Sequence, residues 1–98
     1  MKPLFIPLKS EHYEAFANGT KTTELRIYGP HWNLITCPIG RPVTLSKGYG
    51  KSHRLHGHIY NRFRIPRRNI NKDINLPFPG EPDQLLLAIH ITLDSPLP

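Results

Sequence analysis

The sequence predicts a mostly β (α+β) domain of about five short strands with one clear helix after the first strand. Three observations support this fold class. Apolar residues alternate with other residues in several segments, only one segment has helical spacing, and the 98 residues include 11 prolines and 7 glycines, which provide many turns. At this length we expect one domain over residues 1–98, with a frayed tail at 94–98.

The first strand is predicted from the alternation of Leu4, Ile6 and Leu8 with less apolar neighbours. Pro7 interrupts this pattern, and a proline has no N–H to donate to a strand partner. The strand should therefore lie at an edge of the sheet or bend at Pro7.

A helix of about eight residues should follow the first strand. Ser10 is a suitable N-cap residue, and Tyr13, Phe16 and Ala17 share one face at helical spacing. Gly19 can adopt the left-handed conformation that ends a helix. We therefore predict that the helix ends there and that the next strand begins at once.

That next strand, over residues 21–28, has an unusual concentration of polar residues. In an extended chain successive side chains point to opposite faces. One predicted face contains Lys21, Thr23, Leu25 and Ile27. The other contains Thr22, Glu24, Arg26 and Tyr28, which places an acid and a guanidinium side by side next to a phenol.

Three further strands are predicted at residues 43–47, 54–65 and 85–93, and a loop at residues 69–82. Gly57 interrupts the long strand, which indicates a bulge or a bend there. The last strand alternates so cleanly that it should lie deep in the sheet. Before these strands, residues 31–36 should form a short helical turn with Trp32 and Ile35 packed inward.

The charge is strongly positive. Lysine and arginine number 13 against 7 aspartates and glutamates, so the net charge is +6. Such a balance favours attraction to polyanions such as nucleic acid. The single cysteine, Cys37, excludes an internal disulfide, and its apolar neighbours favour burial over a nucleophilic role. No apolar run approaches the ~18 residues that span a membrane, so a cytoplasmic location without membrane partners is expected.

The segment between the helix and the second strand resembles the motif of the ASCH domain, a small β-barrel related to the RNA-binding PUA domains. The motif G-x-K-T-x-E-x-R is matched by Gly19, Lys21, Thr22, Glu24 and Arg26. Residues 28–32 (Y-x-P-x-W) and 47–50 (a G-Y turn) extend the similarity, which covers about the first half of the chain. The resemblance implies an open barrel with a central cleft that contains the lysine of the motif. We expect Lys9, Lys21, Glu24, Arg26 and Tyr49 to line this cleft.

The resemblance also implies possible hydrolysis. One branch of the family acts on an amide of a modified pyrimidine nucleoside (N4-acylcytidine-type), using this lysine, a nearby threonine and a distant glutamate. The candidate catalytic residues here are Lys21, Thr23 and Glu24. The branch motif is closer to K-T-x-T-x-R, so Glu24 replaces its second threonine. The distant acid is not identified: after Glu24 the chain has one further glutamate, Glu81, and Asp73 and Asp83 are unmatched candidates.

The long predicted strand has a basic face with an interleaved aromatic residue. The face contains Arg54, His56, His58, Tyr60, Arg62 and Arg64. Such a surface can follow a sugar-phosphate backbone while the phenol stacks on a base; the alternative is an ordinary solvated face. Tyr28, Tyr49 and Lys51 are additional candidate ligand contacts. His56 and His58 share a face but lack a nearby acid or thiol, so we expect no metal site. No phosphate-binding loop is present, and no cofactor is expected.

These features predict an RNA- or nucleotide-binding domain with a basic cleft and rim. Two alternatives stay open. The first is a hydrolase that uses Lys21, either a ribonuclease or an amidohydrolase on a modified nucleoside. The second is a basic module that binds a protein partner.

Overall fold

A five-stranded sheet, curled into a half-barrel, forms the fold in a computed structural model that describes residues 1–71, 74, 76 and 78–94. The strands are β1 (Leu4–Leu8), β2 (Thr23–Ile27), β3 (Pro42–Lys47), β4 (Arg54–Pro66) and β5 (Leu85–Leu93). Helix α1 (Ser10–Ala17) follows β1, and a 3₁₀ turn (Arg67–Asn69) follows β4. The predicted mostly β, open-barrel fold of about five strands with a helix after the first is confirmed.

The strands are arranged in the order β1-β3-β4-β5-β2, with β1 parallel to β3 and the other neighbours antiparallel. Strands β1 and β2 are therefore the two edges, and the predicted edge position of the Pro7 strand is confirmed. Curling brings the two edges close together without pairing them. The Nη2 atom of Arg26 crosses the gap between them and donates to the carbonyl oxygen of Pro7 at 3.0 Å. We call this gap the seam.

Helix α1 has the predicted length of eight residues, but its cap differs from the prediction. Lys9, with an extended backbone, is the N-cap residue, and its carbonyl accepts from the N–H of Tyr13 at 3.0 Å. Tyr13 and Phe16 are buried as predicted, whereas Ala17 is exposed. Gly19 has a φ of +83°, so the predicted left-handed stop after the helix is confirmed.

The hydrophobic core fills the concave side of the half-barrel. It consists of Ile6, Leu8, Tyr13, Phe16, Cys37, Val43, Leu45, Ile59, Leu87, Ile89 and Ile91. Burial of Cys37 agrees with the prediction. The turn at residues 31–36 packs Trp32 and Leu34 against this core. Ile35 is 89% exposed, so its predicted inward position is wrong. The Asn33 side chain accepts from the N–H groups of Ile35 and Thr36 and holds the backbone in a turn.

Strand β4 contains a bulge at Tyr60. Ile59 pairs with Ile91 and Asn61 pairs with His90, so Tyr60 is the additional residue. Of the two alternatives predicted for Gly57, the bulge is wrong, because Gly57 pairs in regular register with Leu93, and the bend stays a prediction. A Cβ atom at Gly57 would collide with the carbonyl oxygen of Thr92, so glycine is needed there for close approach of the strands.

The bulge changes which face of the sheet each side chain occupies. Before it, Arg54, His56 and His58 lie on the convex face, opposite to the buried Ile59. After it, Arg62 pairs with Ile89 and Arg64 with Leu87, which belong to the core face. The prediction of one continuous basic face along this strand is therefore wrong.

Strand β5 is hydrogen-bonded on both sides, by β4 and β2, as its predicted deep position requires. In the predicted loop at residues 69–82, positions 72, 73, 75 and 77 lie outside the described residues, as do positions 95–98 of the predicted frayed tail. Asp94 is held by its N–H, which donates to the carbonyl oxygen of His56 at 3.0 Å. Within the described ranges, no helix has the length and apolar character needed to cross a membrane.

Candidate functional site

A cleft of about 800 Å³ opens at the seam. Its polar part consists of Lys9, His12, Thr20, Lys21, Thr23, Glu24, Arg26 and His90. Its apolar part includes Leu25, Phe63, Ile65, Ile70, Phe78 and Ala88. The cleft therefore combines one charged side with one apolar side, and residues from both edge strands contribute to it.

Glu24 lies at the centre of the charged side and is only 7% exposed. One carboxylate oxygen, Oε1, is 3.2 Å from Nζ of Lys21. The other, Oε2, accepts from Nε and Nη2 of Arg26 at 3.0 and 2.8 Å. A buried carboxylate needs such partners because desolvation alone would make its charged form very unfavourable. The acid therefore holds both cations at the seam.

Lys21 is not positioned as the strand pattern predicted. It precedes β2, which begins at Thr23, so the alternation of strand faces does not apply to it. Its backbone N–H donates to the carbonyl oxygen of Ala15, which fixes the chain just after the helix. Its Nζ atom consequently reaches Glu24, although the two side chains were expected on opposite faces, and it also lies 3.1 Å from Nδ1 of His12.

Thr23 and His90 form a second polar pair in the cleft. The Thr23 hydroxyl lies 3.1 Å from Nδ1 of His90, which pairs with it across β2 and β5. The rings of Phe63 and Tyr60 flank the imidazole, with centroids at 5.0 and 5.6 Å. Nε2 of His90 is buried and has no hydrogen-bond partner in the part of the chain that the structure describes. The imidazole is thus packed in place by aromatic neighbours.

Sequence reasoning missed His12 and His90 as site residues. The spacing of α1 places His12 one residue before the buried Tyr13, at the border of the packed face. The alternation of β5 places His90 on the face opposite to Ile89 and Ile91. The sequence therefore contained the positions of both histidines on their elements. Only the strand register with β2 shows that His90 lies opposite Thr23.

Four of the remaining predicted contacts lie in three different places. Lys9 is exposed and lines the cleft. Tyr28 is half-buried and packs against the core instead of lining the cleft. Tyr49 is 80% exposed in the turn between β3 and β4, outside the cleft lining, and Lys51 is exposed in the same turn.

The predicted basic strand is divided among several surroundings. His56 is 3.4 Å from the Thr44 hydroxyl, and Nδ1 of His58 is 2.7 Å from Oδ1 of Asp94. Arg62 donates to the carbonyl oxygens of Cys37 and Leu34 and so holds the 31–37 segment on the core face. Arg64 is exposed after the bulge. Among the described residues no group of three His, Cys, Asp or Glu side chains has the geometry of a metal site.

The candidate distant acids are not part of the cleft. Glu81 and Asp83 are exposed and do not line it, and Asp73 lies outside the described residues. Of the acidic side chains that the structure describes, Glu24 alone contributes to the cleft wall. A comparison with protein-family models gives no match. A comparison with curated proteins gives none either.

Proposed function

We propose that this protein binds RNA and holds one nucleotide-sized unit of it in the cleft at the seam. The observation that carries this proposal is the combination of a charged side and an apolar side in a single cleft of about 800 Å³. This volume falls within the range of about 300–1,000 Å³ that is usual for small-ligand sites. A nucleotide has the same division, because its base is flat and weakly polar and its phosphate is anionic.

Cationic donors outnumber acids in the described lining. Lys9, Lys21 and Arg26 line it together with one carboxylate, that of Glu24. An ammonium group has three N–H donors, and Lys21 directs two of them to Glu24 and His12. One donor of Lys21 and the exposed Lys9 side chain are therefore available for a phosphate or a base oxygen.

The apolar side supports the same proposal. Phe63, Leu25 and Ala88 provide a surface on which a base can pack, and aromatic contact with a base contributes about 1–3 kcal/mol. The resemblance of residues 19–26 to the ASCH motif agrees with it, because the lysine of that motif lines a cleft in RNA-related proteins. The net charge of +6 favours polyanionic ligands.

Lys9→Ala tests this proposal directly. Lys9 lines the cleft, is exposed and contributes its carbonyl, not its side chain, to the helix cap, so the variant should fold normally. We expect it to weaken binding of a labelled single-stranded RNA about fivefold, measured by fluorescence anisotropy, and to reduce the slope of log K against log [salt] by about 0.7.

Lys2→Ala is the matched control, because Lys2 is an exposed lysine outside the cleft lining. Its affinity should stay close to that of the original protein. Equal weakening in the two variants, or no measurable RNA binding by the unsubstituted protein, would contradict the cleft assignment. A hairpin RNA in the same titration would show whether unpaired bases are needed.

Hydrolysis of an acylated nucleoside is a second candidate function, favoured by the contact between Thr23 and His90. A hydroxyl 3.1 Å from an imidazole nitrogen is the arrangement of a nucleophile with its base. In this scheme the Thr23 oxygen attacks the acyl carbon and its proton moves to Nδ1 of His90. The amine then leaves with that proton, and water hydrolyses the acyl-threonine ester. The ammonium group of Lys21 would stabilise the developing oxyanion.

Incubation of the protein with N-acylated cytidines tests this second function by chromatography of the released nucleoside. We expect turnover that is lost in Thr23→Val and in Lys21→Ala while both variants retain the circular dichroism of the folded protein. Unchanged turnover in Thr23→Val would exclude the hydroxyl as nucleophile.

A further inference from the structure

Two exposed aromatic rings and two cations form a surface outside the cleft. We call this group, Phe5, Tyr49, Lys51 and Arg54, the aromatic platform. The ring centroids of Phe5 and Tyr49 are 6.1 Å apart, and the guanidinium carbon of Arg54 lies 5.4 Å from the Phe5 centroid. Single exposed apolar residues are ordinary on protein surfaces. Here, however, Tyr49 is 80% and Phe5 37% exposed within one contact group.

The backbone holds the platform in a defined geometry. Phe5 lies on the convex face of β1, because Ile6 is directed into the core. Tyr49 follows Gly48, whose φ of +69° makes the tight turn. The N–H of Lys47 donates to His53 and the Ser46 hydroxyl donates to Gly50, so both sides of the turn are fixed. Tyr49 is therefore exposed by an ordered turn.

The platform begins where the cleft ends. Pro7 and Leu8 line the cleft, and Pro7 projects from the same face of β1 as Phe5. Two residues along a strand span roughly 7 Å. The N–H of Gly48 donates to the carbonyl oxygen of Leu8 at 2.9 Å, which joins the Tyr49 turn to this end of β1. A ligand that extends out of the cleft along β1 would next meet these aromatic rings.

The charge around the platform suits a polyanion. The sequence contains no Asp or Glu between Lys47 and Lys72. Of the described acids, Glu14 and Asp94 reach this region, and both are paired, with Lys47 at 3.1 Å and with His58 at 2.7 Å. Aromatic rings interleaved with cations are the usual surface for single-stranded nucleic acid, because bases stack on the rings while cations contact the phosphates.

We infer that the ligand is a single-stranded polynucleotide, one nucleotide of which enters the cleft while the neighbouring bases stack on the aromatic platform. This inference rests on the proposed RNA binding and specifies its substrate class as a strand and not a free nucleotide. Tyr49 and Phe5 supply stacking, and Arg54 and Lys51 supply contacts to phosphates. Base stacking does not discriminate between RNA and DNA, so any such discrimination would depend on contacts in the cleft.

Affinity as a function of oligonucleotide length tests the inference. Competition titrations would use uridine monophosphate and oligouridylates of two to six nucleotides, with the unsubstituted protein and with Tyr49→Ala. We expect affinity to rise with length in the unsubstituted protein. Tyr49→Ala should bind the hexamer about tenfold more weakly, because the substitution removes one stacking contact. Its affinity for the monophosphate should be unchanged. Ile35→Ala, at an apolar residue exposed to 89% elsewhere, is the control.

The outcomes separate the two proposals. Affinity that does not depend on oligonucleotide length, or an equal effect of Tyr49→Ala and Ile35→Ala on hexamer affinity, would overturn the role of the platform. The cleft proposal would still stand in that case if Lys9→Ala weakens monophosphate binding. Loss of hexamer affinity in Tyr49→Ala with no effect of Lys9→Ala on any ligand would support the platform and contradict the cleft. Binding of a protein partner that Tyr49→Ala abolishes, without any oligonucleotide binding, would overturn the inference.

Discussion

At the scale of single residues, Glu24 organises the cleft. Its carboxylate is buried between an ammonium and a guanidinium group, and Arg26 in turn bridges to Pro7 and lies 4.7 Å from the Trp32 ring centroid. Removal of this acid would leave two cations close together in a poorly solvated place. Glu24 therefore has a structural role at the seam in addition to any contact with a ligand.

We expect Glu24→Gln to lower the free energy of unfolding by about 2–4 kcal/mol, as measured by urea denaturation, because breaking a buried ion pair leaves uncompensated charge. Glu14→Gln is the matched control. It also removes an acid paired with a lysine, but the Glu14 side chain is 57% exposed, and exposed pairs contribute less than about 1 kcal/mol.

Equal losses of stability in the two glutamine variants would show that Glu24 behaves as a surface residue. A loss confined to Glu24→Gln would support its role in holding the two edge strands. The Glu24–Arg26 pairing followed from their two-residue spacing on one strand. The approach of Lys21 did not, because Lys21 belongs to the turn and its direction depends on the contact with Ala15.

At the scale of strands and helices, hydrophobic periodicity could locate the helix and four of the five strands, whereas β2 was placed by the helix stop at Gly19 that precedes it. What periodicity could not give was the bulge at Tyr60. An additional residue in β4 is defined only by its partner β5, so the alternation appears continuous in the sequence of β4 alone. The basic residues on either side of Tyr60 were consequently assigned to one face. Gly57 indicated an irregularity in the strand. Glycine is needed there because the backbone of Thr92 lies too close for a Cβ atom.

Gly57→Ala tests the close approach of β4 and β5. We expect it to lower the free energy of unfolding by about 1–3 kcal/mol, because the new methyl group would collide with the Thr92 carbonyl, and backbone cannot move aside as a flexible side chain can. Gly29→Ala is the control, since a Cβ atom there meets nothing within 4 Å and the backbone φ is not positive. Thermal unfolding followed by circular dichroism would measure both variants. Similar melting temperatures would contradict this explanation of Gly57.

At the scale of the whole molecule, the cleft arises from the curvature of the sheet. Strands β1 and β2 are edges separated by three other strands, yet both line the cleft. No local sequence pattern shows that β1 and β2 lie close together, because the distance between them depends on how far the half-barrel closes. The sequence therefore predicted most of the charged residues of the cleft from their motif, whereas the apolar side and both histidines became apparent only in three dimensions.

The proposed RNA binding should be sensitive to salt, because the protein has a net charge of +6. If about three phosphates are neutralised, an increase from 50 to 200 mM KCl should weaken binding of single-stranded RNA about 20-fold, because bound counterions are released on association. Anisotropy titrations at four salt concentrations would measure the slope. Affinity that does not change with salt would contradict phosphate contact.

Pro7 protects the free edge of β1 from strand addition. Its carbonyl oxygen points away from β3 and is occupied by Arg26. The nitrogen of the same residue faces the same way along a strand, and in proline it carries no hydrogen. At Pro7 this edge thus offers neither a donor nor an open acceptor to another polypeptide, and proline on an edge strand is one way in which natural sheets avoid edge-to-edge aggregation. An unclosed barrel can in this way keep an open seam without becoming a template for fibres.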